Sequence, residues 1–216
     1  MAISVAVAIG ESADKLIENI TPKINNIKVG PYNDESSDMG PVVSKDAYER
    51  INGLIESGVE EGANLIVDRR NINLHGYENG YFIGPCLFDN VKDNMKIYKE
   101  EIFGPVLSIV RAKNYEEGLQ LVKDNPYGNG CSIFTRDGDT ARNFSSEANI
   151  GMVGVNIPIP VPVAYFSFGG WKNSIFGGHN AYGMEAIRFY THTKTITSKW
   201  PEGIRSGAQF TMPTLG

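Results

Sequence analysis

The chain has only two cysteines, Cys86 and Cys131, among its 216 residues. They lie far apart and match no zinc-ligand spacing. Each sits in an apolar, strand-like setting, "IGPCLF" and "GCSIF", so a buried thiol is the favoured reading of both. Histidine is as scarce: His75, His179 and His192 form no ligand cluster, and no metal is expected. Positive charge is not in excess, with 20 Lys and Arg against 25 Asp and Glu and a formal net charge of −5. Without a Lys/Arg stripe or block, no nucleic-acid footprint is expected. No apolar run approaches the length of a membrane span, so no membrane association is expected. The apolar start, "MAISVAVAIGESADKL", is short and lacks a basic flank and a small-residue cleavage signature, which argues against a signal peptide. Low cysteine use and the lack of an export signal together suggest the cytoplasm. The common chemistry-bearing motifs are missing too: no G-x-G-x-x-G, no P-loop, no G-x-S-x-G and no H-E-x-x-H. The glycine pairs of "YGNGCSIF" and "FGGWKNSIFGG" have the wrong spacing and open no helix.

What is present is globular composition, 41% hydrophobic and 21% charged. The length allows one large domain or one and a half. "ISVAVAI" (residues 3–9) reads as a buried strand. "SADKLIENITPKINNIKV" follows with helical periodicity, with Pro22 as a point where the helix kinks or restarts. "PYNDESSDMGPVVS" is a polar loop punctuated by Pro and Gly. Ser44 is placed to cap the next helix. There Ala47, Ile51, Leu54, Ile55 and Val59 fall three or four apart on one apolar face. "GANLIVD" ends that helix and begins a strand, and "INLHGYENGYFIG" is a hairpin-like excursion. Asn114 and Glu117 have capping-box spacing before "GLQLVKDN". "CSIF" is a short buried strand, "TARNFSSEAN" a helix and "GMVGVN" another strand. This alternation predicts an α/β layer structure with parallel strands.

The regularity stops at residues 157–178, "IPIPVPVAYFSFGGWKNSIFGG". Pro158, Pro160 and Pro162 at alternate positions exclude a helix and suit an extended loop. Phe166, Phe168 and Trp171 lie in this loop, either lining a site or anchoring the loop. "FYTHTKTITSKW" reads as a threonine-rich strand with an unpaired edge, which a partner subunit could cover. "PEGIRSGAQFTMPTLG" is a polar tail.

"KEEIFGPVLSIV" (99–110) places Glu100 and Glu101 before an Ile-Phe-Gly-Pro turn. One reading is a solvated charge pair at a strand entrance, the usual fate of surface carboxylates. The other is a carboxylate accepting hydrogen bonds from vicinal hydroxyls. Ionised, it is acceptor-only, with two oxygens suited to a diol such as a ribose. If the segment is extended, Phe103 faces the same way two residues later and offers a ring to a planar heterocycle.

"KEEIFGPVLSIV" resembles the glutamate-Phe-Gly-Pro motif of the aldehyde dehydrogenase superfamily. "SDMGPVVS", "GYENGYFIGPCLFDNV", "DNPYGNG", "SIFTRD", "GMVGVN", "FSFGGWKNS" and "FYTHTKTIT" resemble successive segments of that superfamily, in order, from Met1 to about Ser198. Within it, "VNIPIPVPVAYFSF", "YKEEIFGPV" and "FYTHTKTITSKW" are similar to the CoA-acylating methylmalonate-semialdehyde dehydrogenase family. That resemblance implies oxidation of malonate or methylmalonate semialdehyde with NAD⁺. The acyl group passes to coenzyme A with loss of CO₂, giving acetyl-CoA or propionyl-CoA. It implies an aldehyde dehydrogenase-type catalytic domain over residues 1–190, a largely parallel sheet flanked by helices. Residues 191–216 follow as an oligomerisation strand and tail, which makes a homo-oligomer. Carried over by position, Glu101 matches the glutamate that holds the nicotinamide ribose, and Phe103 the aromatic near the nicotinamide. Phe168 matches the aromatic that lines the aldehyde pocket. Most of the superfamily has proline before this phenylalanine, where this chain has Ser167. Asn156, ending the strand that leads into the loop, is a structural candidate.

The same resemblance places Met1 immediately after the nucleophilic cysteine, so no catalytic residue is expected within this chain. The NAD-binding domain and the active-site asparagine also lie upstream in the superfamily. The chain thus resembles the C-terminal part of a longer enzyme and is expected to be inactive alone. Two alternatives stand beside this: part of a hydrolytic aldehyde dehydrogenase, and a non-catalytic oligomerisation module on the same fold.

Overall fold

The computed structural model describes residues 3–200. In chain order the elements are β1 (Val5–Ile9), α1 (Ser12–Asn26), α2 (Lys45–Glu60), β2 (Asn64–Val67), β3 (Cys86–Asp89), α3 (Lys96–Lys99) and β4 (Val106–Ala112). There follow α4 (Tyr115–Asp124), β5 (Tyr127–Gly128), β6 (Gly130–Ile133), α5 (Gly138–Glu147), β7 (Met152–Val155), β8 (Trp171–Lys172) and α6 (Glu185–Tyr190).

A four-stranded sheet in the order β1-β4-β3-β2 forms the first layer. β1 and β3 both run parallel to β4, and β2 runs antiparallel to β3. The antiparallel pair is what the loop excursion after β2 produces, since a chain that turns back reverses direction. Side chains of β3 and β4 alternate between the two faces, as the strand period requires. Cys86, Phe88, Val106 and Val110 pack with Ile51, Leu54 and Ile55 of α2 on one side. Leu87 and Ile109 pack with Ala13 and Ile24 of α1 on the other. The parallel pair β6–β7 stands apart from this sheet and packs with Phe144 of α5. The parallel strands read from sequence are therefore borne out, but they fall in two sheets.

Local chemistry sets the helix ends. Ser44 Oγ accepts from Ala47 N–H at 3.2 Å, Asn114 Oδ1 from Glu117 N–H at 2.9 Å, and Asp137 Oδ1 from Thr140 N–H at 2.6 Å. These bonds satisfy first-turn amides that have no partner within the helix. Glu117 returns a bond to the amide of Lys113 at 2.8 Å, one residue before the capping-box position.

Four readings from sequence are corrected. β1 is only half-buried, with Ala8 its one buried residue, because it lies at the sheet edge. α1 runs through Pro22 as one helix instead of restarting there. Val59 is exposed, and Gly58 takes the inward position on α2. A side chain there would press on Ile97 Cδ1 at 2.8 Å, so glycine lets α2 and α3 close together. Finally, "FYTHTKTITSKW" forms no strand among the described residues: Phe189 and Tyr190 end α6, and 191–200 are exposed. A strand needs a neighbour to bond with, and this stretch pairs with no strand among the described residues. The tail over 201–216 lies outside the described residues.

One ion pair ties the first layer together. Arg111 on β4 donates to both oxygens of Asp89 on β3, at 2.9 Å each, and to Asp14 of α1 at 2.6 Å. Burial pushes the Asp89 carboxyl pKa up, but the Arg111 bonds, the Asn90 amide and the Arg111 charge together hold it below the ordinary 3.8. A lowered folded-state pKa means the pair stabilises the fold above the unfolded-state value. That stability is lost as pH falls through the folded value. Asp89→Asn is expected to cost about 2–3 kcal/mol at neutral pH, because it leaves Arg111 without its buried partner. It should also flatten the acid limb of the stability profile, measured by urea denaturation from neutral pH down through the carboxylate range.

Candidate active-site elements

The segment from Lys99 to Pro105 links α3 to β4. Ile102 is buried in the core beside Ile51 and Val106, while Glu101 and Phe103 on either side of it are exposed. Arg50, on α2, holds the backbone from outside. Its guanidinium donates to the carbonyl of Glu101 at 3.1 Å and to that of Ile102 at 2.7 Å. A planar fork of N–H groups matches two successive carbonyls in a way a single ammonium cannot. Gly104 then turns against α2, where a Cβ would lie 2.7 Å from Ile51 Cδ1. The Pro105 carbonyl accepts from Cys86 N–H at 2.8 Å and leads the chain into β4.

Phe103 departs from the sequence reading. Its φ is +50°, so the segment is not extended there and the two-residue alternation does not apply. A bulky residue in the left-handed region is uncommon and costs free energy. Its ring is 78% exposed, so packing within this chain does not repay that cost. Glu101 and Phe103 are both exposed, on either side of the buried Ile102.

Phe168 belongs to a different part of the structure. Of the loop aromatics, Tyr165, Phe166, Trp171 and Phe176 are more than half exposed, whereas Phe168 is partly covered. Its ring stacks on Tyr182 with centroids 4.7 Å apart and planes 8° from parallel. Together with Met152, Val161, Tyr182 and Phe189 it lines an open cleft of about 520 Å³. The loop beneath is held by backbone contact: a Cβ at Gly151 would lie 1.9 Å from the Gly169 carbonyl oxygen. Lys172, at φ +53°, donates to the carbonyls of Val122, Lys123 and Asn125 at 3.1, 2.9 and 2.8 Å, fastening β8 to the end of α4. Asn156 bonds the amide and carbonyl of Thr135 at 2.9 and 3.0 Å, a structural clamp on the end of β7.

Glu101 and Phe103 do not line the Phe168 cleft. The described residues thus hold two separate elements, one on each layer. Cys86 is buried and Cys131 half-buried, and burial pushes both thiols up. A raised thiol pKa disfavours the thiolate that a nucleophile needs. Among the described residues, no group of three or more His, Cys, Asp or Glu is placed to hold a metal ion. None of their helices is long and apolar enough to cross a membrane. Arg50 and Tyr182 escaped the sequence reading. Arg50 is one charged residue on a solvated helix flank, and Tyr182 meets Phe168 only after the chain has looped back.

A match to the aldehyde dehydrogenase family spans residues 1–196, and the chain belongs to that family. Among its relatives, a malonate-semialdehyde dehydrogenase of Pseudomonas aeruginosa is 52% identical over all of this chain and 44% of its own length. The human mitochondrial methylmalonate-semialdehyde/malonate-semialdehyde dehydrogenase [acylating] is 46% identical, over all of this chain and 41% of its own. The structure of a Sinorhizobium meliloti protein described as a methylmalonate-semialdehyde dehydrogenase, complexed with NAD, superposes with a TM-score of 0.88 at 61% identity. That match covers 94% of this chain and 42% of the other. The chain spans about two fifths of the length of these relatives.

The clamp on the turn is directly testable. Arg50→Ala is expected to speed amide exchange across residues 101–104 about tenfold and to cost about 1 kcal/mol of stability. Arg50→Lys should fall between the two. Phe103→Gly is expected to leave stability within about 1 kcal/mol of the parent, where truncating a packed phenylalanine costs about 3–5 kcal/mol. Hydrogen exchange and urea denaturation measure both.

Proposed function

We propose that this chain forms the C-terminal catalytic part of an NAD-dependent, CoA-acylating malonate/methylmalonate-semialdehyde dehydrogenase. The carrying observation is the pair Glu101 and Phe103, exposed on a turn that Arg50 and Ile102 hold in place. An acceptor-only carboxylate beside an unburied ring suits a nicotinamide riboside, with its diol on the carboxylate and its ring against the aromatic. The left-handed backbone at Phe103 supports the same reading, since strain of this kind gathers at ligand-holding positions.

In this role Glu101 accepts hydrogen bonds from the ribose hydroxyls. That fixes the distance of the cofactor from the reacting carbon, and such orientation lowers the barrier without new chemistry. Phe103 limits how far the nicotinamide can swing. Phe168 and its neighbours offer an apolar surface to the aldehyde and exclude water from it. NAD⁺, when bound, accepts the hydride lost by the aldehyde carbon. The nucleophilic cysteine that holds the acyl group comes from the part of the enzyme that precedes this segment, as does most of the cofactor's binding domain. A thioester on that cysteine is then open to attack by the thiolate of coenzyme A in place of water.

The exposed apolar side chains of the last stretch favour an assembly. Tyr190, Ile196 and Trp200 are 72%, 78% and 87% exposed. We place residues 191–216 at a contact between subunits of a homo-oligomer, where a partner would offer residues 191–200 the strand neighbour they lack among the described residues. The protein is placed in the cytoplasm on the same reading.

This account expects the 216-residue chain alone to form no NADH from malonate semialdehyde, NAD⁺ and coenzyme A. Joined to the preceding part of the enzyme, it should form NADH, acetyl-CoA and CO₂, the substrate carboxylate being the group lost. Robust turnover by the chain alone would overturn the proposal. Free acid formed without a need for coenzyme A would replace it with the hydrolytic reading.

A further inference from the structure

We infer that Ser167 is a positioning residue for the aldehyde pocket, its hydroxyl setting the Phe168 ring against Tyr182. The inference rests on the reading of Phe168 as a pocket-lining ring. Ser167 Oγ donates to the carbonyl of Tyr182 at 3.1 Å and accepts from the amide of Glu185 at 3.1 Å. A hydroxyl is the smallest group able to do both at once. One side chain therefore ties the loop before the double glycine to the segment that carries Tyr182. Phe168, the next residue, stacks on that tyrosine at 4.7 Å.

The surrounding backbone shows how closely the two segments meet. Gly183, at φ +61°, would place a Cβ 2.4 Å from the Ser167 amide nitrogen. Gly169 would place one 2.2 Å from Asn180 Oδ1. Neither glycine has room for a Cβ, so the two segments meet backbone to backbone beside the bridge, which itself faces solvent. Without it, the Tyr182 carbonyl and the Glu185 amide must turn to water, and the ring pair loses the tether at its base. A proline at this position would have no hydroxyl and could not form the bridge. The consequence falls on the aldehyde side, because Glu101 and Phe103 stand on the other layer and line no part of this cleft.

The test uses the whole enzyme, with the part preceding this segment in place, and compares Ser167→Ala, Ser167→Thr and Phe168→Ala. Ser167→Ala is expected to raise the KM for malonate semialdehyde about tenfold, the worth of the hydrogen bonds lost, while the KM for NAD⁺ stays unchanged. Ser167→Thr, which keeps the hydroxyl, should restore it to within about twofold. Phe168→Ala should raise the aldehyde KM at least as far, and it carries the test if Ser167→Ala does not fold. An unchanged aldehyde KM in Ser167→Ala, or equal impairment of both Ser167 variants, overturns the positioning role while leaving the proposed activity intact. An unchanged aldehyde KM in Phe168→Ala overturns the pocket reading and the inference with it. Failure of the parent enzyme to oxidise the semialdehyde overturns the proposed activity itself.

Discussion

The turn between α3 and β4 depends on one buried residue and one clamp. Ile102 lies in the core with α2, and Arg50 of the same helix grips the carbonyls before and at that residue. Everything placed on the outer side follows. Ile102 is drawn inward, Glu101 and Phe103 beside it are exposed, and Gly104 lets the backbone pass close over Ile51. Phe103 then takes a left-handed conformation that its own ring does not repay. A fold stabilises such a residue only through what surrounds it. Here the surroundings are α2 below and β4 beyond.

The second layer reaches a similar end by other means. Its loop carries little regular structure and buries few large side chains, so backbone proximity and single polar groups hold it. Gly151 admits the Gly169 carbonyl, Lys172 gathers three carbonyls at the end of α4, and Ser167 joins two segments through one oxygen. Contacts of this kind are directional and fix a ring more narrowly than an apolar cluster would. Phe168 is the ring so fixed. The remaining aromatics of the loop stay exposed.

Much of this architecture was legible from sequence where the cause is local. Ser44, Asn114 and the alternation of helix and strand act within a few residues, and each appears where the pattern placed it. The motif around Glu101 was visible as a resemblance, but its shape was not. Phe103 is left-handed, not extended, and the Arg50 contact to the two carbonyls before it comes from about fifty residues earlier, so no neighbouring residue signals the turn's shape. The splitting of the strands into two sheets is likewise non-local. The pairing of Ser167 with Tyr182 and Glu185 depends on a loop closing on itself, which periodicity does not report. The strand expected after Tyr190 needs a neighbour from outside the described chain.

The central claim is that the Arg50-held turn presents Glu101 to the ribose of the cofactor. The most direct measurement is the NAD⁺ KM of the whole enzyme with Glu101→Ala, taken beside its KM for malonate semialdehyde. The account predicts a rise in the NAD⁺ value of about tenfold or more, for a lost charged acceptor facing two hydroxyls, with the aldehyde value unchanged. An unchanged NAD⁺ value would return Glu101 to a solvated surface carboxylate and contradict the account.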